Sequence, residues 1–317
     1  MDPLYEKTFS GEHVSIKILK TKTLLRDHKY LHKNIPRYPE NVEFHISKVS
    51  HVTNKAGLDG ILPDGFKGGQ RRGAFMWWDL NIDDIIITEA EKRYLDRQFP
   101  NRHSSSLQTE ERQPQVSFLK KFTTSPVFQK GSRYGNFKFT FPLEDLMQMY
   151  TEQICEKMKP VLRVYETVVY KQEIMYAVVV HSPKETQFDK YPLLEGAEAM
   201  CSYREGTIVW NAQAVSETHN YELIIKANMI KAKKVKAGTH QFFVWDHVTL
   251  AFHMPHGTAI RVDRKDLIES LKACDSVEPL YRKADPVMSC ETAAIIVDSH
   301  NVEKLALTSK QPNHGVL

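Results

Sequence analysis

The chain has 317 residues, of which 41% are hydrophobic and 26% charged, which excludes collagenous, low-complexity and wholly disordered classes and leaves one large domain or two modest ones. Its 43 basic and 39 acidic residues leave a formal charge of +4, too weak a field to demand a nucleic-acid partner, so any basic patch is local. The longest apolar runs fall far short of the roughly 20 residues of a membrane-spanning helix, and Met1-Asp2-Pro3 offers neither a secretory start nor a myristoylation glycine, so a cytoplasmic protein without a membrane partner is expected.

Residues 1–40 read as an N-terminal extension rich in Lys, Arg and His, with Ile18, Leu24, Leu25 and Leu31 as sparse apolar points. From 42 to 47 apolar and polar residues alternate as in a strand, a helix is expected over 52–62, and Pro63-Asp64-Gly65 forms a turn. A second strand is expected over 74–80 and a charged helix over 82–98. The segment 101–115 has no apolar period and is expected to be a mobile loop. A strand at 137–141 and a helix over 143–157 follow. The β-branched runs 161–170 and 174–180, with few residues between, read as a hairpin. More strands are expected at 207–215, 221–226, 242–253 and 259–262. Helices mixed irregularly with strands indicate an α+β fold rather than a doubly wound sheet. Cys155, Cys201, Cys274 and Cys290 have no Cys-x-x-Cys spacing, so reduced thiols are expected.

Three blocks carry a family resemblance. Phe44-His45-Ile46-Ser47, followed by Gly60-Ile61-Leu62-Pro63-Asp64-Gly65-Phe66, resembles the opening of the poly(ADP-ribose) polymerase catalytic domain. Gly73-Ala74-Phe75-Met76-Trp77-Trp78 lies where that family has a Gly-x-Tyr-Phe strand, and Tyr165-Glu166-Thr167-Val168-Val169-Tyr170 resembles its Glu-Tyr-Val-Val-Tyr strand. The whole chain resembles the Gig-two family, fish proteins induced by interferon and by grass carp reovirus and described as antiviral. The resemblance implies an ADP-ribosyltransferase-like mixed sheet core at 41–183, with 184–317 as an added C-terminal β-rich region packed on the same core. It also implies NAD as substrate and ADP-ribose transfer to a protein acceptor. Under it, His45 bonds the adenosine ribose, Ser47 the nicotinamide carboxamide, Phe75 or Trp77 stacks on nicotinamide, and Glu166 stabilises the developing ribosyl cation, a contact whose loss typically costs on the order of 10² to 10³ in rate.

Departures from the family pattern open a second reading. Ile46 replaces the family glycine and crowds the nicotinamide site, and the stacking tyrosine is absent. A catalytically inactive module that binds protein or nucleic acid in innate immunity is therefore the alternative. A strand assignment shifted by one element makes Glu217 or Glu222 the carboxylate instead. Each residue also has a plainer role: His45 as a surface histidine, Phe75, Trp77 and Trp78 as core aromatics, Glu166 as the polar side of a strand. Lys226, Lys231, Lys233, Lys234, Lys236 and His240 form a basic cluster between two strands, read first as a solvated hairpin and second as a phosphate-tracking surface. His253 and His256 have the spacing of a metal pair, but Pro255 prevents a helix from presenting both, and no metal is expected.

Overall fold

The computed structural model describes residues 6–28, 31–32, 42–69, 73–98, 119, 131–170, 173–196, 200–212, 215–216, 219–226, 229–237, 243–276 and 288–308. The loop expected at 101–115, Glu217 and His240 lie outside the described residues.

The chain opens with strand β1 (Glu6–Ser10) and a one-turn helix α1 (Ile16–Leu19), then runs through β2 (Val42–Ile46), β3 (Lys48–Thr53), α2 (Lys55–Asp64), β4 (Phe66–Lys67) and β5 (Phe75–Leu80). Next come α3 (Asp84–Gln98), β6 (Phe137–Pro142), α4 (Leu143–Gln153) and the long strands β7 (Val161–Tyr170) and β8 (Glu173–His181). The remainder comprises β9 (Cys201–Arg204), β10 (Thr207–Ala212), β11 (Val215–Ser216), β12 (His219–Lys226), β13 (Met229–Ala237), β14 (Phe243–His253), β15 (Ala259–Ile260), α5 (Arg264–Ser270), β16 (Leu271–Ala273) and α6 (Cys290–Thr308). This is an α+β architecture. The large mixed sheet has the order β1-β7-β8-β14-β5-β3-β6-β16, with β11 attached to β14, and a smaller sheet has the order β2-β10-β9.

The expected single strand over 42–47 is the end of one sheet and the approach to another. β2 pairs with β10, whereas β3 pairs with β5 and β6. Between them the Ser47 carbonyl accepts from the Leu143 amide at 2.7 Å, which pins the crossing to the start of α4. The helix expected from 52 begins at Lys55, because the β-branched Val52 and Thr53 remain in β3 and Asn54 caps the helix by accepting from the Gly57 amide at 3.0 Å. Opposite that junction Gly135 has φ +143°, and a Cβ there would lie 2.2 Å from the Thr53 carbonyl oxygen, so only glycine fits. The basic cluster expected between strands belongs to strands: β12 and β13 form an antiparallel pair in which Lys226 opposes Met229 and Glu222 opposes Lys233. Its alternating Lys and Ala suit an extended chain.

One face of the large sheet holds the core. Trp78 of β5, Phe139 of β6, Val178 of β8 and Phe252 of β14 are fully buried there, joined by Phe66 and by Tyr150 of α4. The Tyr150 hydroxyl donates to the His253 carbonyl at 2.6 Å, so this hydroxyl of the core is satisfied on the sheet itself. The small sheet adds Phe44 stacked on Trp210, ring centres 5.4 Å apart. Burying each such ring contributes about 1.5–3 kcal/mol. The opposite, outer face of the large sheet is the one with unusual chemistry.

Candidate functional site

Strand registers lay out the outer face row by row, since paired residues share a face. Lys272, Lys138 and Val52 share a row across β16, β6 and β3, but the β3–β5 pairing ends at Ser50 and Asp79, where His51 Nδ1 lies 2.9 Å from the Trp77 carbonyl. Beyond that junction a row runs through Trp77, Ala251, Val179 and Arg163 on β5, β14, β8 and β7. On one side of it stand Phe75 and His253, on the other Thr140, Ser50, Asp79, Thr249 and Ala177.

The last position of that polar row is doubled. β7 carries a bulge between Val164 and Glu166: Val164 opposes Val178 and Thr167 opposes Tyr176, both of the core face, and Tyr165 and Glu166 together oppose Ala177. In a regular strand they would alternate. The bulge brings both to the outer face, a device that re-aims side chains in many sheets. Tyr165 meets Phe75 with ring centres 5.2 Å apart, and Phe75 meets Trp77 at 5.7 Å. Burial pushes the Tyr165 hydroxyl up to about 12, with Glu166 and Tyr191 adding to the shift.

A segment over 182–193 folds back across these aromatics. Its Phe188 lies 4.9 Å from both His181 and His253, and its Tyr191 lies 5.1 Å from Tyr165. Arg163 holds it by donating to the Tyr191 carbonyl at 2.8 Å and to Asp189 Oδ1 at 2.6 Å, and the Val164 amide donates to the Pro192 carbonyl at 2.9 Å. Burial holds His181 and His253 below the usual imidazole range, so both rings are neutral hydrogen-bonding groups at neutral pH.

The polar row is closed on itself. Ser50 Oγ lies 2.9 Å from Thr140 Oγ1 and donates to Asn81 Oδ1 at 3.1 Å, while Thr249 donates to Asp79 Oδ1 at 3.0 Å. Further along, Arg133 donates to Glu173 Oε1 at 2.6 Å and pairs with its other oxygen, and His247 Nε2 stands 3.5 Å from the same carboxylate. At the sheet edge a groove of about 460 Å³ runs between α5, β16 and α6, lined by Leu271, Lys272, Val297 and Asp298 among others.

Of the residues singled out from the sequence, Phe75, Trp77 and Glu166 share this outer face. Phe75 is 4% exposed, whereas Trp77 and Glu166 are half-buried and offer accessible surface. His45 is elsewhere: it opposes Val209 in the small sheet, and its Nε2 lies 2.6 Å from Glu43 Oε1. Ser47 is exposed at the crossing between the sheets. Glu222 lies on β12, off the large sheet. Among the described residues no group of three His, Cys, Asp or Glu side chains is placed to hold a metal ion, and no helix is long and apolar enough to cross a membrane.

Sequence reasoning missed Asp79, Tyr165, Lys138 and Arg163. Asp79 had a visible signal, an acid inside an otherwise apolar strand, Phe75-Met76-Trp77-Trp78-Asp79-Leu80. Tyr165 reaches the outer face through the bulge in the β7–β8 hairpin and Arg163 gains its role through its bonds to Asp189 and Tyr191, while Lys138 is placed by β6 pairing with β3 and β16. No family model, curated protein or solved structure matches the chain.

Proposed function

We propose that this protein is an ADP-ribosyltransferase-like module that holds NAD, or an ADP-ribose fragment of it, on the outer face of the large sheet, in the antiviral setting that the Gig-two resemblance implies. The observation that supports it is the meeting of Trp77, Phe75, Tyr165 and Glu166 on one face through the bulge in β7. Trp77 offers a flat aromatic surface for nicotinamide or adenine, and Glu166 supplies a carboxylate on the same face, on β7, three strands along the sheet from β5. In the transfer reaction the bond from nicotinamide nitrogen to ribose breaks, nicotinamide leaves with the electron pair, and the acceptor's nucleophile bonds to the ribose carbon and sheds its proton. A carboxylate at Glu166 stabilises the cation of that transition state. His45 stands outside the group, so this reading favours binding over rapid turnover.

Calorimetric titration of NAD tests it. Trp77→Ala is expected to weaken binding about tenfold or more, because stacking on an aromatic ring contributes roughly 1–3 kcal/mol, while Trp77→Phe keeps most of the affinity. Glu166→Gln is expected to bind equally and to lose any nicotinamide release. His45→Ala is expected to change neither. Absence of NAD and ADP-ribose binding in the folded wild type would overturn the proposal.

A further inference from the structure

Arg163 uses its whole guanidinium at the two ends of the segment over 182–193. Nη1 donates to the Tyr191 carbonyl at 2.8 Å, Nη2 to Asp189 Oδ1 at 2.6 Å, and Nε to His181 Nε2 at 3.1 Å. The third bond fixes a protonation state. A guanidinium only donates, so His181 Nε2 must offer a lone pair, and the ring carries its proton on Nδ1, which donates to the Ser182 carbonyl at 2.8 Å. His181 is therefore neutral where it stands, 1% exposed, at the point where β8 ends and the segment leaves the sheet.

The rest of the attachment is light. Lys184 pairs with Glu156, but both side chains are exposed, and such a pair contributes little. Phe188, with Phe75, Val179 and Ala251, forms a small apolar cluster apart from the main core, the usual arrangement beneath a long loop. Within the segment the backbone bonds are short-range: the Glu185 amide donates to the Ser182 carbonyl, that of Asp189 to Thr186 and that of Tyr191 to Phe188. The far end is anchored by the bond from the Val164 amide to the Pro192 carbonyl. Lifting the middle of the segment thus breaks no strand pairing.

We propose that 182–193 is an acid-released strap over the aromatic floor of the outer face, with His181 as its sensor. A proton added at Nε2 turns the acceptor into a donor, so the bond from Arg163 is lost and two cations share the single carboxylate of Asp189. The charged and titratable groups facing His181 are Arg163 of β7 and His253 of β14, which oppose its protonation, and Asp189 of the strap, which favours it. Glu185 offsets a proton on His253, and Arg163 bonds the ring of His181 rather than that of His253, so the latch answers to His181. In the open strap a solvated His181 titrates near about 6.5, whereas the closed strap refuses the proton. Acid therefore favours opening, and below about pH 6.5 the open fraction rises by up to about tenfold per pH unit. Opening uncovers Phe75, Tyr165 and His253 beside Trp77. That this floor receives a nucleotide's ring rests on the reading above; the latch itself does not.

Hydrogen exchange read by mass spectrometry at pH 7.5 and 5.5, corrected for the intrinsic rate, compares the strap with β8 as the internal standard. In the wild type the strap's protection is expected to fall about tenfold on acidification while that of β8 holds. His253→Gln is expected to keep this fall. His181→Gln, whose side-chain oxygen accepts from Arg163 at either pH, is expected to abolish it. Strap protection indifferent to pH in the wild type, or a fall that persists in His181→Gln, would overturn the proposal. A measurement on the wild type alone covers the case of a variant that does not fold: nitrogen-15 NMR of the imidazoles is expected to find the His181 proton on Nδ1 at pH 7.5, and a proton on Nε2 there would overturn the latch. Titrating NAD at both pH values separates the two readings. Tighter NAD binding at pH 5.5 supports both, whereas strap opening with no NAD binding at either pH would leave the latch standing and overturn the nucleotide reading.

Discussion

Replacing Arg133 by methionine removes the only guanidinium bonded to Glu173 among the described residues, and the structure sets the size of the effect. The two side chains are 11% and 4% exposed, and Arg133 engages both oxygens of the carboxylate. His247 lies 3.5 Å away but cannot take over, because its own burial keeps the ring neutral. Methionine matches the length of the aliphatic stem, so little packing is lost and the penalty is that of a buried, unpaired carboxylate, about 3–5 kcal/mol. That is a large share of a typical domain's stability of about 5–15 kcal/mol. Urea denaturation followed by tryptophan fluorescence measures it by linear extrapolation. The double variant Arg133→Met with Glu173→Leu is expected to recover most of the loss, since neither charge then remains buried. An Arg133→Met protein within about 1 kcal/mol of wild type would show the pair to be solvated like a surface ion pair. A double variant no better than the single one would place the loss in packing rather than in charge. Either result refutes the argument.

Two further outcomes follow from other parts of the fold. Burial lowers the imidazole pKa of His13, to about 4, and of His51 and His247. The unfolded chain, with ordinary histidines near 6.5, therefore binds protons that the folded chain refuses, so stability is full above about pH 6.5 and falls below it by up to about 1.4 kcal/mol per pH unit for each histidine. A urea midpoint that stays flat from pH 7.5 to 5.5 would contradict these burials. Gly135→Ala places a methyl 2.2 Å from the Thr53 carbonyl oxygen at φ +143°, and is expected to cost about 2 kcal/mol or more, read as a fall of several degrees in Tm; an unchanged melt would mean that this junction relaxes freely.

What the sequence made legible was local. The β-branched run Val161–Tyr170 and its partner Glu173–His181 form the hairpin their composition suggests, and Phe75–Leu80 is the strand its aromatics suggest. The helices α5 and α6 were not anticipated. The first has only seven residues, and the second has no strong one-sided apolar stripe to announce it. The division of 42–53 into two strands was hidden because Ile46-Ser47-Lys48 continues the same alternation across the break, and only the bond from Leu143 to the Ser47 carbonyl marks the change of sheet. The candidate site was legible as residue types, in Phe75, Trp77 and Glu166, but not as an arrangement. Periodicity cannot disclose that Tyr165 and Glu166 share a face, because a bulge breaks the period that would assign them to opposite faces. Nor can it reveal that Lys138 faces Lys272, since that depends on β6 pairing with β16.

The place of β14 has a consequence for synthesis on the ribosome. It runs parallel to β8 and antiparallel to β5, between two strands translated well before it. When His181 has been made, the middle of the large sheet is still a gap, and 61 residues lie between the end of β8 and the start of β14. At about 5–20 residues per second this leaves an interval of roughly 3–12 s. Through it the nascent chain carries two unpaired strand edges flanked by Val178, Val180 and Trp78, the kind of surface that invites association with a neighbour. A chain truncated before Phe243 would carry that gap permanently and is expected to collect in the insoluble fraction, so the residues after 183 are required for the sheet to close.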